Sequence, residues 1–236
     1  MKNQGKLYLI PNVVAEGTQL DVIPPHVLKA LKGIRYFLAE DVRTARRYFS
    51  SLKIFETIEA LHFETLNKDT KESELSELIK PLIDGNDVGV ISEAGCPGVA
   101  DPGALAVHFA HQNNIQVIPL VGPSSILLAL MASGLNGQHF AFHGYLPIES
   151  KEATKSIQEL ERESRLKNQT QIFIETPYRN NGLLQNLMVN LQPDTTLCIA
   201  LELTSTREKI TSKKVRDWKR ETVELPKAPA IFLFLA

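Results

Sequence analysis

The sequence predicts an α/β protein with parallel strands, and three stretches carry that reading. Val88-Gly-Val-Ile91 is a short apolar run of the length expected for a strand covered on both faces. It runs straight into Ser92-Glu-Ala-Gly-Cys-Pro-Gly-Val-Ala-Asp-Pro-Gly103, whose glycines and prolines cannot continue a ladder. Two further loops, Gly122-Pro-Ser-Ser125 and Glu175-Thr-Pro-Tyr-Arg179, follow apolar runs in the same manner. Loops of this type at the carboxyl ends of strands are where open α/β sheets bind ligands.

The elements follow in order. Lys6 to Pro11 reads as a first strand. Pro24 and Pro25 suit a helix start, Val27, Leu28 and Leu31 give it an apolar face, and Gly33 suits its end. Ile34 to Ala39 is a second strand. Asp41 is placed to cap the next helix, on which Arg43 and Arg47 share a face four residues apart. A weak third strand is expected at Ile54 to Ile58, and one helix from about Thr70 to Ile83. After the Ser92–Gly103 loop come a helix, Ala104 to Gln112, and a strand, Ile115 to Pro119. Pro119-Leu-Val-Gly-Pro123 reads as a hinge. Ser124 or Ser125 then caps the helix Ile126 to Ala132, whose even hydrophobicity predicts burial. Beyond it the pattern gives strands at Phe140–Phe142, Thr170–Ile174, Thr196–Leu201 and Ala230–Leu235, with helices at Glu149–Leu166 and Asn180–Leu191.

Composition narrows the function classes. A chain of 236 residues that is 43% hydrophobic buries a sizeable core, as one large domain or two modest ones. No apolar run approaches a bilayer span, and Met1 to Lys6 lacks the apolar core of a signal peptide, so a cytoplasmic protein without membrane attachment is expected. Two cysteines, Cys96 and Cys198, exclude a disulfide scaffold, and the scattered histidines show no metal spacing, so no bound metal is expected. Neither a dinucleotide glycine fingerprint nor a Walker-type phosphate loop occurs. Formal net charge is −1, but it is unevenly placed. Glu56 to Glu77 holds seven acidic and two basic residues, and Arg207 to Arg220 seven basic and two acidic.

Taken together, several segments resemble the tetrapyrrole methylase superfamily, the class III S-adenosylmethionine-dependent methyltransferases. They are Leu7-Tyr-Leu-Ile10, Ala39-Glu-Asp-Val-Arg-Thr-Ala-Arg46, Ser92 to Gly103, Gly122-Pro-Ser-Ser125 with Ala132-Ser-Gly-Leu135, Gly144-Tyr-Leu-Pro147, Ile174-Glu-Thr-Pro-Tyr-Arg179 and Glu202-Leu-Thr204. Within the superfamily the chain is most similar to the branch that methylates a cytidine ribose 2′-hydroxyl of small-subunit ribosomal RNA. It departs from that branch in the first loop, where Asn12-Val-Val-Ala-Glu16 replaces the usual Thr-Pro-Ile-Gly-Asn.

The resemblance implies two α/β domains, residues 1–118 and 119–236, with S-adenosylmethionine in a cleft between them, and a homodimer. It places Val14, Gly95, Cys96, Val99, Ser124, Ser125 and Ile174 at the cofactor, many of them through backbone groups. Glu175 and Asp101 are the carboxylates placed to orient or deprotonate a ribose hydroxyl, and Arg43 and Arg179 to hold a phosphate or the acceptor. Each has a plainer reading. Glu175 also suits the start of the following helix, Asp101 suits a cap near Pro102, and Arg43 suits a solvated helix end. If the acceptor is ribosomal RNA or the small subunit, the basic segment Arg207–Arg220 is expected to meet phosphates together with Arg43, Arg46 and Arg47. A small acceptor such as a tetrapyrrole, and a non-catalytic cofactor-binding module, are the competing readings.

Overall fold

The computed structural model describes residues 4–236; the first three residues, read above with the start of the chain, lie outside the described residues. The chain divides into two compact units that meet in sequence at Ser124 and Ser125.

The first unit is a five-stranded sheet of β1 (Leu7–Ile10), β2 (Tyr36–Ala39), β3 (His62–Thr65), β4 (Val88–Ile91) and β5 (Val117–Pro119), ordered β3-β2-β4-β1-β5. All its pairings are parallel. Among the described residues six helices connect the strands: α1 (Gln19–Val22), α2 (Pro25–Leu31), α3 (Val42–Leu52), α4 (Glu72–Leu78), α5 (Lys80–Ile83) and α6 (Gly103–Gln112).

Side chains alternate across each strand, so the sheet feeds two cores. Ile10, Phe37, Ala39 and Ile91 pack with Val27, Leu31, Phe49 and Leu52 on the face covered by α2 and α3. Leu7, Leu38, Val88 and Val90 pack with Leu75, Ile79, Leu82 and Ala106 on the other. The chain therefore leaves β1 and its neighbour β4 toward opposite faces. That divergence opens a crevice between their carboxyl ends, the topological switch point where such sheets take ligands.

Two elements differ from the sequence expectation. Ile54, Phe55 and Ile58 pack against the first core from a loop, and the third strand is His62–Thr65. It is an edge strand in which only Phe63 is half-buried, so it carries little apolar pattern to read. The expected helix to Ile83 is two helices joined at Ile79, because Pro81 lacks the N–H that a continuous helix would need at that turn.

The second unit opens with α7 (Ser125–Ser133). Its mixed sheet contains β6 (Phe140–Tyr145), β7 (Thr170–Glu175), β8 (Thr196–Leu201), β9 (Lys209–Lys214) and β10 (Ala230–Leu235), ordered β6-β7-β10-β8-β9. Only β6 and β7 are parallel; β10 runs antiparallel to β7 and β8, and β9 antiparallel to β8. The remaining helices are α8 (Ser150–Lys167), α9 (Asn180–Asn190) and α10 (Val215–Trp218). Phe173, Phe232, Leu184, Leu187, Leu197 and Trp218 centre the core. The basic segment is thus β9 and α10, pinned by the Trp218 Nε1–H, which donates to the Leu197 carbonyl at 2.9 Å. Contrary to expectation, α7 is only partly buried: Ala129, Leu130 and Ser133 are covered, whereas Leu127 and Met131 are exposed.

Candidate active site

Three loops interlock at the carboxyl edge of the first sheet. Immediately after β1, the buried Asn12 donates its backbone N–H to the Gly95 carbonyl at 2.8 Å. Its Nδ2 donates to the carbonyls of Ser92 (2.9 Å) and Glu93 (3.0 Å), and its Oδ1 accepts from the Val13 N–H at 2.8 Å. One amide side chain thereby staples the loop after β1 to the loop after β4. In the sequence this loop is marked by its departure from a family pattern and by Val14 as an expected cofactor contact; the signal for Asn12 was a lone amide at a strand end.

The β4 loop is shaped by its backbone. Gly95, Gly98 and Ala100 all hold positive φ (69°, 82° and 59°), a region that suits glycine and strains alanine. Asp101 braces the bend: its Oδ1 accepts from the N–H groups of Gly98 (2.7 Å) and Gly103 (2.6 Å). Its Oδ2 is buried without a partner. Burial raises the Asp101 carboxyl above its ordinary value, outweighing the Gly98 and Gly103 N–H groups and the nearby Ser92 hydroxyl, which act the other way.

The third loop closes on the first two. A Cβ at Gly122 would sit 2.0 Å from Cβ of Pro11, so only glycine lets the chains pass. The Cys96 thiol donates to the Pro123 carbonyl at 3.4 Å, and burial followed by the Asp101 charge pushes its titration up. That environment disfavours a thiolate.

Beside these loops lies a cavity of about 360 Å³, and Val14, Thr44, Arg47, Tyr48 and Glu93 are among its walls. The Tyr48 hydroxyl donates to the Pro11 carbonyl at 2.9 Å, and burial raises its titration, keeping it a phenol. Asp41 caps α3 by accepting from the Thr44 N–H at 2.7 Å, which lowers its pKa. Glu93 is raised, first by burial and then by the charges of Asp41 and Glu40. Arg43 is exposed on the first turn of α3. None of the described ion pairs includes Arg43, Arg46 or Arg47.

The second unit holds the other residues of interest. Glu175 ends β7 and Arg179 precedes α9, so Glu175 is a strand-end residue and not the first acid of the helix. Glu175 Oε1 accepts from Arg179 Nε (2.9 Å), Arg179 Nη2 (2.6 Å) and the Thr176 N–H (2.6 Å). Oε1 takes all three donors, and Oε2 has no partner among the described hydrogen bonds. Both residues line a 690 Å³ groove between α8 and α9. Ile174 sits beside Glu175 in β7, and Ser125 opens α7.

Val14, Gly95, Cys96, Val99 and Ser124 therefore lie on loops at one sheet edge of the first unit, with Asp101 as a brace beneath them. Glu175 and Arg179 form a bonded pair in the second. Among the described residues there is no cluster of three His, Cys, Asp or Glu able to hold a metal, and no helix long and apolar enough to cross a membrane.

A parallel sheet with a backbone-lined switch-point crevice, followed by a mixed α/β unit, defines a class of two-unit ligand-binding α/β proteins, and known proteins narrow it. Residues 18–218 match the family model described as Tetrapyrrole (Corrin/Porphyrin) Methylases. The chain is 30% identical over 223 residues to ribosomal RNA small subunit methyltransferase I of Escherichia coli O157:H7, covering 93% of this chain and 73% of that protein. It is 32% identical over 205 residues to the protein of the same name in Vibrio cholerae serotype O1, covering 86% and 67%. Among solved structures, the methyltransferase CobJ superposes with a TM-score of 0.64 at 17% identity, covering 97% of this chain and 93% of that one. The uroporphyrin-III-C-methyltransferase of Thermus thermophilus gives 0.55 at 18% identity, covering 98% and 92%. The chain belongs to the tetrapyrrole methylase family and is a methyltransferase.

Proposed function

We propose that the chain transfers a methyl group from S-adenosylmethionine to a ribose 2′-hydroxyl of small-subunit ribosomal RNA, as a cytoplasmic homodimer. The RNA acceptor rests on one observation, the 30% identity along 93% of the chain to a protein named for that RNA.

The first unit's residues fit the cofactor. Gly95 and Gly98 turn the main chain outward with no side chain in the way, Asp101 holds that shape, and the half-exposed Val99 offers an apolar contact. Val14, Gly95, Cys96 and Val99 would hold S-adenosylmethionine, with Ser124, Ser125 and Ile174 as further contacts. When bound, it supplies an electrophilic methyl group on a sulfonium. The chain's tasks are then to hold the acceptor oxygen in line and to remove its proton. Glu175 Oε2 accepts that proton, while Arg179 fixes the carboxylate through Oε1 and Arg43 attracts the RNA backbone. Asp101, half-buried in its loop, shapes the cofactor site without touching the reacting atoms.

The test is methyl transfer from tritiated S-adenosylmethionine to small ribosomal subunits from a strain lacking its own enzyme. Label on a ribose of the RNA is the expected result. Label on a uroporphyrinogen in place of RNA would favour the small-acceptor reading, in line with the family's description. Absence of cofactor binding by calorimetry would leave a family member that has lost catalysis. A monomer mass by light scattering would remove the dimer.

A further inference from the structure

We propose that the groove between α8 and α9 seats an unstacked RNA base, stacked on Tyr178 and read at its edge by Asn186. This rests on the RNA reading above and concerns a base within one nucleotide of the acceptor, since Glu175 lines the same groove.

Charge selects the occupant. Among the residues lining the groove only Glu175 and Arg179 are of the charged types, and they pair with each other at 2.6 Å. A phosphate finds no free cation there. A nucleobase, uncharged with two apolar faces and a hydrogen-bonding edge, meets matching chemistry. Three large apolar side chains stand exposed around this one concavity: Tyr178 (82%), Ile148 (81%) and Val189 (73%). Lys227 Nζ, which is not among the groove's lining residues, lies 5.6 Å from the centre of the Tyr178 ring, where it can meet the phosphate that adjoins a base stacked on the ring's other face.

The edge reader is a pinned amide. Asn186 Oδ1 accepts from the Thr154 hydroxyl (3.2 Å) and from Asn190 Nδ2 (2.6 Å), and Asn190 Nδ2 also donates to the Asn186 carbonyl at 2.9 Å. Both acceptor positions of Oδ1 are filled, which fixes the amide and leaves Nδ2 with no protein acceptor among the described hydrogen bonds. Asn186 thus offers a donor of fixed sense. Bases in a helix bury their faces against neighbours, so the site takes a single-stranded or flipped nucleotide and not a paired one.

The experiment uses the full chain and a fluorescein-labelled 12-nucleotide single-stranded RNA of mixed sequence, its four versions differing at the central base, with the same RNA annealed to its complement as control. Tyr178→Phe, which keeps the ring, should bind like the parent. Tyr178→Ala should weaken single-strand binding roughly 5- to 150-fold, the worth of one stacked base, and leave duplex binding unchanged. Asn186→Asp, which turns the donor into an acceptor, should change the order of preference among the four central bases. Thermal melts matching the parent's establish that the exposed Tyr178 is not a folding residue. If the parent binds single strands and Tyr178→Ala binds them equally well, the groove is not a base site, and the methyltransferase reading stands. If the parent neither binds RNA nor methylates small subunits, both readings fall together. If Tyr178→Ala and Val189→Asp halve the mass in solution while RNA affinity holds, the groove is an interface with a second copy of this chain, and the base site is overturned.

Discussion

At the carboxyl edge of the first sheet, the groups offered to a ligand are main-chain groups held by Gly95, Gly98, Asp101 and Gly122. In the groove of the second unit they are side chains: Glu175, Arg179, Tyr178 and Asn186. The difference predicts opposite sensitivities. A backbone-built site tolerates many side chains but not an extra Cβ at a crossing point, whereas a side-chain-built site tolerates a Cβ and fails when one functional atom is replaced.

The largest effect expected is at Glu175. Glu175→Gln keeps the size and an oxygen for Arg179 but removes the proton acceptor, so methyl transfer should fall about 100- to 10,000-fold with the fold intact, measured by label transfer to small subunits. A loss of only a few-fold would strip Glu175 of the base role and leave it as an anchor for Arg179.

Next comes a pair of glycines that sets one unit against the other. Gly122→Ala forces a methyl group to 2.0 Å from a Pro11 ring that cannot rotate away, and should destabilise by about 1–3 kcal/mol in urea unfolding. Gly182 lies within α9 with nothing within 4 Å of an added Cβ. Gly182→Ala should instead stabilise by about 0.5–1 kcal/mol, since alanine loses less freedom on entering a helix. Equal losses at both sites would remove the contrast between the two units.

The contrast extends to charge. The Arg207–Arg220 segment looks strongly basic in sequence, yet four of its seven cations face protein acids. Arg207 pairs with Glu202 (2.6 Å), Lys213 with Glu221 (2.8 Å), Arg216 with Asp194 (2.5 Å) and Arg220 with Asp217 (3.2 Å). Lys214 donates to the Asp194 carbonyl at 2.5 Å. The three arginines of α3 have no such partners among the described ion pairs. Neutralising Arg43, Arg46 and Arg47 together should therefore lower the slope of log RNA affinity against log salt by about 2, at about 0.7 per single-strand phosphate contact. Neutralising Lys213, Lys214 and Arg216 should lower it by less than about 1. The reverse order would mean that these surface pairs open to take phosphates, restoring the sequence expectation for the basic segment.

How much was legible follows the same division. Buried strands such as Val88–Ile91 and Ala230–Leu235 announced themselves because both faces are apolar, and Gly and Pro marked the loops at their ends. His62–Thr65 did not, since an edge strand with one half-buried side chain has no pattern to show. The role of Asn12 was hidden because its partners are 80 and more residues away in sequence, and nothing local distinguishes a stapling amide from a turn residue. The Glu175–Arg179 pair lies within one short motif, so both residues could be named, but which oxygen stays free is a matter of three-dimensional bonding. The exposure of Leu127 and Met131 was misread, because an evenly apolar helix looks buried whether its last face is covered or not.

The smallest effect expected concerns Asp101, and it tests whether the bracing carboxylate carries an unrelieved burial cost. Its Oδ1 takes two N–H groups while Oδ2 is buried without a partner, and burial raises its titration above the ordinary carboxylate value. A carboxyl with a raised folded pKa binds its proton more tightly in the folded state than in the unfolded one. Its contribution to stability is therefore present at low pH and is lost as pH rises through the folded pKa. Asp101→Asn keeps an oxygen for Gly98 and Gly103 but carries no charge, so it lacks this dependence. Relative to the variant, the parent should gain stability as pH falls from neutral into the carboxylate range, by less than the loss at Gly122→Ala, in urea unfolding of both proteins across that range. Parallel curves would show that Asp101 titrates as it does in the unfolded chain. A parent that loses ground on acidification would show that the ionised form is the favoured one, with Oδ2 partnered after all, and the loop after β4 would then be held by three bonds to Asp101 where the structure shows two.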